Sequence, residues 1–377
     1  MIIIMKQVMY MDSLQEARMK INSIDKEMAQ LFEERMQAVR VIAEYKKERG
    51  LQIYDQKREQ ALIEKNASYI NDYDIRSYYV RFLSDEMAVS KQYQEHIISG
   101  MKVGYSGVEG AFAAIASKKI FPYGRTMSFP DFRAAYEAVE KGVCDCCVLP
   151  IENSYAGEVG QVMDMMFQGS LYVNGVYTLR ITHNLLGVDG ASVNDIKTVV
   201  SHPQALAQCA EYIRAHGWET VEYANTARAA SAVHEMNDKS VAAIASVETA
   251  RLYGLNMLDH DINESAVNST RFAVFSRAEN KKVNTSGDSR FMLMFTVKNE
   301  AGALAQALNV LSSYGFNMRA LRSRPMKDLA WQYYFYIEAE GDETGQNGSD
   351  MLRHLALHCD MLKVVGHFSD EVVLKED

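Results

Sequence analysis

The first hundred residues repeat apolar side chains at helical spacing, and almost nothing in them breaks a helix. Between Met1 and Ser99 the chain has one glycine, Gly50, and no proline. Ser13 to Glu16 form a capping box and Gly50 is a typical helix stop, which predicts a first helix of about 37 residues, roughly 55 Å long. Because so long a helix cannot bury its apolar side within a small domain, we expect a second copy of the chain to cover it.

Two cations share one face of this predicted helix. Arg35 occupies a position where the apolar seam requires an apolar residue, and Lys46 lies eleven residues further, about 20° round the helix. One interpretation is an arginine whose aliphatic stem is buried and whose charge reaches solvent. The other is a buried binding site for an anion. The helical pattern alone favours neither.

Two further polar groups lie at helical spacing in the same region. Asp55, Arg58 and Glu59 are at i, i+3 and i+4 on a second predicted helix, and Ser90 and Gln94 are at i, i+4 on a third. Each group alone is typical of a solvated helix face with local ion pairs. Together with the two cations of the first helix, they predict an all-helical bundle whose interior is rich in positive charge.

From Gly100 onward the pattern changes, because apolar runs alternate with amphipathic helices and glycine and proline recur. This alternation predicts an α/β region with a mostly parallel sheet. The polar stretch 279–289 is typical of a linker. After it, the order β-α-β-β-α-β predicts an α+β, ferredoxin-like domain. The predicted domains are therefore 1–99, 100–278 and 290–377.

Polar residues cluster where predicted strands of the α/β region meet the following helices. Such junctions present backbone N–H groups to an anion. The commoner use of Ser, Thr and Asn there is as ordinary helix caps, and this alternative stays open for each junction. Repeated along one chain, the junctions indicate a two-lobed cleft for a small anion. Their candidate residues are Glu152, Asn153, Ser154, Gln204, Asn225 and Thr226.

Composition and charge exclude several classes of protein. The chain has 377 residues, a formal net charge of −9 and an isoelectric point near 5.6. An acidic chain without a basic stripe is a poor candidate for binding nucleic acid or an anionic membrane. The apolar start is too short to span a bilayer and lacks the features of a secretory signal, so we expect a cytoplasmic protein.

Three of the five cysteines, Cys144, Cys146 and Cys147, fall within or beside a predicted strand. Their spacing matches no zinc motif, and no second Cys or His pair lies nearby in the sequence. Buried small apolar residues are the better interpretation of these side chains. We therefore expect neither a metal nor a cofactor.

The polar positions of the helical region are similar, in order and approximate spacing, to those of the all-helical chorismate mutases. The resemblance implies an entwined dimer that converts chorismate to prephenate. Arg35 and Arg58 would hold the substrate carboxylates, Lys46 and Gln94 would hydrogen-bond the ether oxygen, and Arg18 would reach into the partner's site. The residues that carry the resemblance are Arg18, Arg35, Lys46, Asp55, Arg58, Glu59, Ser90 and Gln94.

Five segments of the α/β region, "PIENSYAG", "SHPQAL", "NTARAA", "YGL" and "NSTRF", resemble the motifs of prephenate dehydratase in order and spacing. The resemblance implies a two-lobed, periplasmic-binding-protein-like domain that dehydrates and decarboxylates prephenate to phenylpyruvate. Thr270 would be the proton donor to the leaving hydroxide. The residues that would line the cleft are Glu152, Asn153, Ser154, Gln204, Asn225, Thr226, Arg271 and Phe272, with His183 as a further candidate.

The C-terminal domain resembles an ACT regulatory domain in two segments. These are Gly302-Ala303-Leu304 before its first helix and Ser323-Arg324-Pro325 after its second strand. The resemblance implies a phenylalanine site between paired domains. The chain departs from the family at Arg322, where an acidic residue is usual. A cation there would repel the ammonium group of the ligand unless it pairs with a nearby carboxylate instead.

The combined prediction is a bifunctional enzyme of phenylalanine biosynthesis. It would act on chorismate and prephenate as a homodimer or homotetramer, with phenylalanine as a candidate effector. Two alternatives stay open at this point. One is a dehydratase whose helical domain only dimerises, and the other is a non-catalytic amino-acid sensor.

Overall fold

The computed structural model describes the chain apart from residues 1, 50, 54–55, 266, 280–288, 327–331, 370 and 376–377, and for residues 2–12 and 56–57 it describes the backbone alone. The chain forms two compact units, Met1–Met101 and Lys102–Asp377. Within the described ranges, none of the helices combines the length and the apolar content that crossing a bilayer requires.

Three helices form the first unit: α1 (Ile2–Arg49), α2 (Gln56–Ala67) and α3 (Tyr73–Ser99). The expected start of α1 at Ser13 was wrong, because the helix already begins at Ile2 and has 48 residues. The residues before Ser13 contain no glycine or proline, so nothing in them stops the helix. The helix is therefore about 72 Å long.

The two ends of α1 differ in burial. Near its C-terminal end Val39 and Ala43 are buried, as are Leu83 and Met87 of α3, against which α1 packs. Further towards the N-terminus the apolar side chains are exposed. We call residues 14–32 the exposed apolar segment of α1, and a continuous surface of this kind is typical of an association site. Its large exposed side chains are Leu14, Met19, Ile21, Ile24, Met28, Leu31 and Phe32.

The second unit begins with alternating strands and helices. Its strands are β1 (Lys102–Ser106), β2 (Arg125–Phe129), β3 (Cys146–Asn153), β4 (Gly157–Glu158), β5 (Tyr172–Arg180), β6 (Asn184–Gly187), β7 (Thr198–Ser201), β8 (Glu219–Glu222), β9 (Val241–Ala245), β10 (Asn256–Asp259), β11 (Ser269–Ser276), β12 (Arg290–Thr296), β13 (Asn317–Pro325), β14 (Tyr333–Glu340), β15 (Met361–Phe368) and β16 (Val372–Val373).

Helices connect most of these strands. They are α4 (Phe112–Ile120), α5 (Phe132–Glu140), α6 (Gly160–Gln168), α7 (Pro203–Gln208), α8 (Ala210–His216), α9 (Thr226–Met236), α10 (Val247–Tyr253), α11 (Ala303–Ser313) and α12 (Gln346–Ala356), with one 3₁₀ turn at Val193–Asp195.

The strands form two sheets: the smaller belongs to the second expected lobe, and the larger joins the strands of the first lobe to those of the C-terminal part. In the larger sheet the order is β13-β14-β12-β15-β5-β11-β3-β1-β2, with β4 beside β3 and β16 beside β5. The smaller sheet has the order β10-β6-β9-β7-β8. The chain enters the second lobe after β5 and returns through β11, so two crossings join the lobes. Pairing of β1 with β2 and β3, and of β7 with β8 and β9, is parallel as expected.

The C-terminal part has the expected ferredoxin-like arrangement. Strands β12 to β15 are antiparallel in the order β13-β14-β12-β15, with α11 and α12 as the connecting helices. Its sheet continues into the first lobe, because Gly366 of β15 pairs with Val173 of β5. A side chain at Gly366 would collide with the backbone of Val173, since a Cβ built there lies 2.1 Å from its carbonyl oxygen.

The three clustered cysteines are core residues, as the sequence predicted. Cys144, Cys146 and Cys147 are at most 1% exposed. Burial raises the pKa of the Cys144 thiol to about 11 and that of the Cys146 thiol to about 12. A thiol that stays protonated at neutral pH is a poor nucleophile and a poor metal ligand.

Candidate functional sites

A cavity of about 990 Å³ lies in the helical unit between α1, α2 and α3. It brings together residues that are up to 59 positions apart in the sequence, because the three helices face each other there. Its polar lining consists of Arg35, Lys46, Gln52, Arg58, Glu59, Ser90, Lys91 and Gln94. Six of the eight residues expected in this site therefore lie in one cavity.

Positive charge dominates the cavity, since four cations and one carboxylate line it. The carboxylate is Glu59, whose Oε2 lies 3.0 Å from Nζ of Lys91. Nζ of Lys46 donates to the carbonyl oxygen of Ile53 at 2.7 Å. The cavity therefore suits a ligand with more than one negative charge.

Arg35 is half-buried and is held against α3 by two side chains of that helix. Its Nε lies 2.9 Å from Oε1 of Glu86, and its Nη1 donates to Oγ of Ser90. Ser90 in turn donates to the carbonyl oxygen of Glu86 at 2.9 Å. Two partners on α3 fix the guanidinium, so the geometry favours the anion-site interpretation over the solvent-directed arginine.

Gln94 completes the wall of the cavity on α3. Its side chain is 8% exposed, and its Oε1 accepts no hydrogen bond within the described part of the chain. A buried amide with an unused polar atom is costly unless a ligand or water satisfies it. The free amide oxygen is therefore consistent with a bound polar molecule.

One expected residue of this site, Arg18, is not among the described residues that line the cavity. Arg18 is exposed and lies 17 residues before Arg35 on the same helix, about 26 Å away along its axis. Asp55 lies outside the described residues. Sequence reasoning missed Lys91 and Glu86, although Glu86 lies four residues before Ser90 and therefore shares its helix face.

A second polar site lies where β3 and β11 pair. Asn153 and Thr270 are opposite each other, and Nδ2 of Asn153 donates to Oγ1 of Thr270 at 2.9 Å. The amide orientation is set by the backbone N–H groups of Tyr155 and Ala156, which donate to Asn153 Oδ1 at 3.0 and 2.9 Å. Since the Thr270 oxygen accepts from Asn153, its own hydrogen remains available for a ligand.

A chain of buried amides extends this site. Asn153 Nδ2 lies 3.2 Å from Oδ1 of Asn268, Asn268 Nδ2 donates to Oε1 of Gln208 at 3.0 Å, and Gln208 Oε1 lies 2.8 Å from Nε2 of His183. Burial lowers the pKa of His183, although the contact with Gln208 opposes this, so the imidazole is neutral at pH 7. His183 thus lies at the far end of the network from Thr270.

Asn268 and Gln208 were not predicted as site residues. Asn268 begins the segment "NSTRF", and Gln208 lies one helical turn after Gln204 on α7. Because Gln208 lies four residues after the predicted Gln204, helical spacing could have identified it as sharing that face. Gln204 itself lies close to the centre, with Nε2 3.4 Å from Oδ1 of Asn153.

Two of the other junction residues, Asn225 and Ser154, have local partners. Asn225 is the N-cap of α9, and its side chain accepts from the backbone N–H of Arg228 at 2.8 Å. Thr226, the first residue of that helix, is 8% exposed. Ser154 Oγ accepts from the backbone N–H of Ser269 at 3.0 Å. For Asn225 the structure therefore supplies the ordinary capping role that the sequence had left open.

The structure places Glu152 and Arg271 on the opposite face of the β3–β11 pair from Thr270. Arg271 Nη1 lies 3.0 Å from Oε2 of Glu152, and its remaining nitrogens reach Glu338 and Glu371. Phe272 is 2% exposed and belongs to the core. All three side chains were expected in the cleft. Strand alternation turns Glu152 and Arg271, the immediate neighbours of Asn153 and Thr270, away from it.

The two segments expected to bind the effector, 302–304 and 323–325, contact different parts of the protein. Gly302 adopts a φ of 84° before α11, and Leu304 lines a cavity of about 350 Å³ with Tyr333 and Phe335. Arg324 instead contacts the first lobe, because its Nε lies 3.1 Å from Oδ1 of Asp164. Ser323 and Pro325 belong to the end of the edge strand β13.

Arg322 also contacts the first lobe. Its Nη2 lies 2.7 Å from Oε1 of Glu152, and its Nε lies 3.5 Å from Oε2 of Glu158. Arg322 is not among the residues that line the cavity at Leu304. The cation that replaces the family's usual acid is thus engaged by carboxylates of the α/β region.

Comparison with known proteins matches two regions of the chain to characterised families. A model of chorismate mutase type II matches residues 17–95, and a model of prephenate dehydratase matches residues 103–280. Among solved structures, a prephenate dehydratase from Arthrobacter aurescens in complex with L-Phe is 27% identical, with a TM-score of 0.65 over 71% of this chain and 89% of that one. A structure described as GqqA, a novel type of quorum quenching acylase, is 28% identical, with a TM-score of 0.66 over 71% of this chain and 98% of that one.

One relative matches both parts of the chain together. A bifunctional chorismate mutase/prephenate dehydratase from Neisseria gonorrhoeae is 32% identical over 363 residues, which cover 94% of this chain and 97% of the relative. The helical unit and the two-lobed unit therefore occur in the same order in both proteins. The chain belongs to the family of bifunctional chorismate mutase/prephenate dehydratases.

Proposed function

We propose that the chain catalyses two successive steps of phenylalanine biosynthesis. The helical unit rearranges chorismate to prephenate, and the second unit converts prephenate to phenylpyruvate. The observation that carries the proposal is that each of the two matched regions holds a polar site of suitable chemistry. One is a cationic cavity, and the other is a network of oriented amides around a threonine hydroxyl.

The first reaction needs no nucleophile, because chorismate rearranges in one pericyclic step. The enzyme accelerates it by holding a compact conformer and by stabilising charge on the breaking C–O bond. Arg35 and Arg58 hold the two carboxylates, since a guanidinium binds two oxygens at once. Lys46 and Gln94 donate to the ether oxygen, and Glu59 faces the ring hydroxyl.

The second reaction makes the ring aromatic. The bond from the ring to its carboxylate breaks and carbon dioxide leaves, the electron pair enters the ring, and hydroxide departs from the opposite ring carbon. Thr270 donates its hydrogen to that oxygen as the C–O bond breaks, so the oxygen leaves as water, and the threonine oxygen takes a proton back from solvent. Asn153 supports this role, because its amide occupies the threonine oxygen and directs the hydroxyl hydrogen away from the protein. Gln204 and Ser154 contribute further polar groups to the cleft.

One assay tests this function against the two alternatives. Purified protein is mixed with chorismate, and chorismate loss and phenylpyruvate formation are followed separately. The proposed enzyme consumes chorismate and forms phenylpyruvate. A dehydratase with a merely dimerising helical domain would form phenylpyruvate from added prephenate but leave chorismate unchanged. A non-catalytic sensor would turn over neither compound.

The exposed apolar segment of α1 supports a dimer as the functional form. Ile24, Met28 and Leu31 are each at least 43% exposed in a single chain, and removing such surface from water stabilises an assembly. In a symmetric dimer a second α1 covers this segment and carries Arg18 to the other chain's cavity. Sedimentation of the purified protein tests the assembly, and a monomer at micromolar concentration would contradict it.

Phenylalanine inhibition is proposed for the C-terminal domain. Backbone N–H groups at Gly302 to Leu304, at the start of α11, would bind the carboxylate of the amino acid. The cavity at Leu304 offers aromatic walls for its ring. Arg322 does not oppose the ammonium group while it is paired with Glu152. Calorimetric titration tests the proposal, and no detectable heat at millimolar phenylalanine would contradict it.

A further inference from the structure

A cluster of ion pairs lies behind the dehydratase site, on the face of the β3–β11 pair opposite Thr270. Its centre is Arg271, which makes contacts with three different carboxylates. Nη1 lies 3.0 Å from Glu152, Nη2 lies 2.9 Å from Glu338 and Nε lies 3.2 Å from Glu371. The side chain of Arg271 is 19% exposed, so these contacts are largely shielded from water.

Two of the three carboxylates come from the C-terminal part of the chain. Glu338 is on β14, and Glu371 follows β15. Glu338 is 2% exposed, contacts Arg271 through both of its oxygens, and accepts from the Tyr336 hydroxyl at 3.2 Å. A carboxylate this deeply buried is retained only where cations and donors compensate it. The regulatory part of the chain thus reaches the residue that follows Thr270.

The cluster lies beside an irregularity in the pairing of β3 with β11. Along β11, Arg271 pairs with Glu152 but the next residue, Phe272, pairs with Pro150, so one residue of β3 is skipped. Pro150 has no N–H to donate to the ladder. Bulges of this kind change where neighbouring side chains point. Ladder hydrogen bonds alone therefore hold this part of the strand pair weakly.

Position on the strands links the cluster to the catalytic centre. Glu152 immediately precedes Asn153 on β3, and Arg271 immediately follows Thr270 on β11. The 2.9 Å contact from Asn153 to Thr270 therefore depends on the register that the ion pairs maintain on the back face.

We propose that Glu338 is a positioning residue of the dehydratase, which acts from the C-terminal domain through Arg271 and Glu152 to hold Asn153 against Thr270. The inference rests on the proposed function of this site. Burial alone would lower the pKa of Arg271, but Glu338 and Glu371 outweigh it, so the guanidinium stays charged. Replacing Glu338 by a neutral residue leaves that buried charge incompletely paired.

Glu338→Gln tests the proposal, with Glu340→Gln as the matched control. Glu340 lies two residues further on the same strand, but its partners Asn317 and Arg319 both belong to the C-terminal domain. Both variants are made in the full-length chain and assayed with chorismate and with prephenate. We expect Glu338→Gln to lower dehydratase kcat about 10- to 100-fold with KM changed less than about threefold. Mutase activity should stay at the wild-type level, and Glu340→Gln should alter neither reaction.

A second pair of variants covers the case in which Glu338→Gln fails to fold. Arg322→Gln removes a half-exposed contact to the other oxygen of Glu152, and Arg319→Gln is its control on the same strand. We expect Arg322→Gln to lower dehydratase kcat roughly three- to tenfold and Arg319→Gln to leave it unchanged.

The outcomes separate the inference from the function on which it rests. If the wild-type protein forms no phenylpyruvate, the proposed function is wrong. If the wild type is active and Glu338→Gln keeps kcat within twofold while its melting temperature falls, Glu338 has a structural role alone and the positioning role is overturned. An equal loss in Glu340→Gln would also overturn it, because the effect would then belong to the whole strand.

Discussion

The two catalytic units build their sites in different ways. In the helical unit, residues at i, i+3 and i+4 lie on one helix face, and six expected side chains surround one cavity. In the second unit, Thr270 and Arg271 are adjacent in the sequence but lie on opposite faces of a strand. On a helix, residues at these spacings lie on the same face, so spacing in the sequence predicts which of them lie together. On a strand, adjacent residues of one motif lie on opposite faces.

The two sites also differ in where their partners come from. The helical cavity needs cations that a single chain supplies from three helices, and it leaves Arg18 unused. The threonine site uses residues that are more than 100 positions apart, and its back face depends on Glu338 of the C-terminal domain. Local spacing thus accounts for which residues of each helix share a face in the first site, and long-range pairing accounts for the second.

The largest expected effect concerns the hydroxyl at the centre of the strand site. Thr270→Val keeps the shape of the side chain and removes the proton donor, so dehydratase kcat should fall about 10²- to 10⁴-fold. Mutase activity should be unchanged. Ser276→Ala, which removes a hydroxyl at the other end of the same strand, is the control and should retain both activities. Normal turnover of prephenate by Thr270→Val would exclude the threonine from the reaction.

The next largest effect concerns the cationic cavity. Arg35→Ala removes a charge-assisted contact worth about 2–4 kcal/mol in the transition state, a loss of roughly 30- to 1,000-fold in mutase kcat/KM. Dehydratase activity should remain normal. Arg40 lies on the same helix and bonds to the exposed Tyr93 hydroxyl at 2.7 Å, so Arg40→Ala is the matched control. Wild-type mutase activity in Arg35→Ala would show that the cavity is not the site.

Mixing two inactive variants tests whether the mutase site is shared between two chains while the dehydratase site lies within one chain. If Arg18 acts in the partner's cavity, a dimer of one Arg18→Ala chain and one Arg35→Ala chain contains one intact site. After random reassortment, mutase activity should return to about a quarter of the wild-type value. Thr270→Val mixed with Asn153→Ala should recover no dehydratase activity. No recovery of mutase activity in the mixture of Arg18→Ala and Arg35→Ala chains would contradict a mutase site shared by two chains.

The smallest effect concerns the pH dependence of stability on the back face of the strand site. Burial alone would raise the pKa of Glu152, but hydrogen bonds from Arg322 and Arg271 outweigh it and hold that pKa below its ordinary value. A carboxyl whose pKa is lowered by folding stabilises the fold above its unfolded pKa, and the contribution is lost as the pH falls through the folded pKa.

Arg322→Gln should therefore lower the free energy of unfolding by about 1 kcal/mol near pH 7, since Arg322 is partly exposed. The difference from the wild type should shrink towards zero as the pH falls below about 4. Urea unfolding at several pH values measures it, with Arg319→Gln as the control. A difference that is constant with pH would mean that Arg322 does not act through a carboxylate.

Several features followed from the sequence alone. The absence of proline before residue 99, together with a single glycine at position 50, determined a helical first region, and alternating apolar runs determined the α/β and ferredoxin-like parts. Helical spacing also grouped Arg35 with Lys46 on one helix, and Ser90 with Gln94 on another. These inferences succeeded because helix periodicity and chain breakers act locally, so that neighbouring residues contain the necessary information.

Other features were decided only by the tertiary structure. Sequence could not tell that Arg271 faces Glu338 rather than Thr270, or that Arg322 pairs with Glu152, because ion-pair partners across a sheet depend on register, on the bulge beside Pro150 and on the docking of the C-terminal strands. The same holds for the amide chain from His183 to Asn153, whose members are joined by hydrogen bonds between distant segments. Such contacts are set by three-dimensional packing, since no local pattern specifies which charged or polar groups will share a desolvated space.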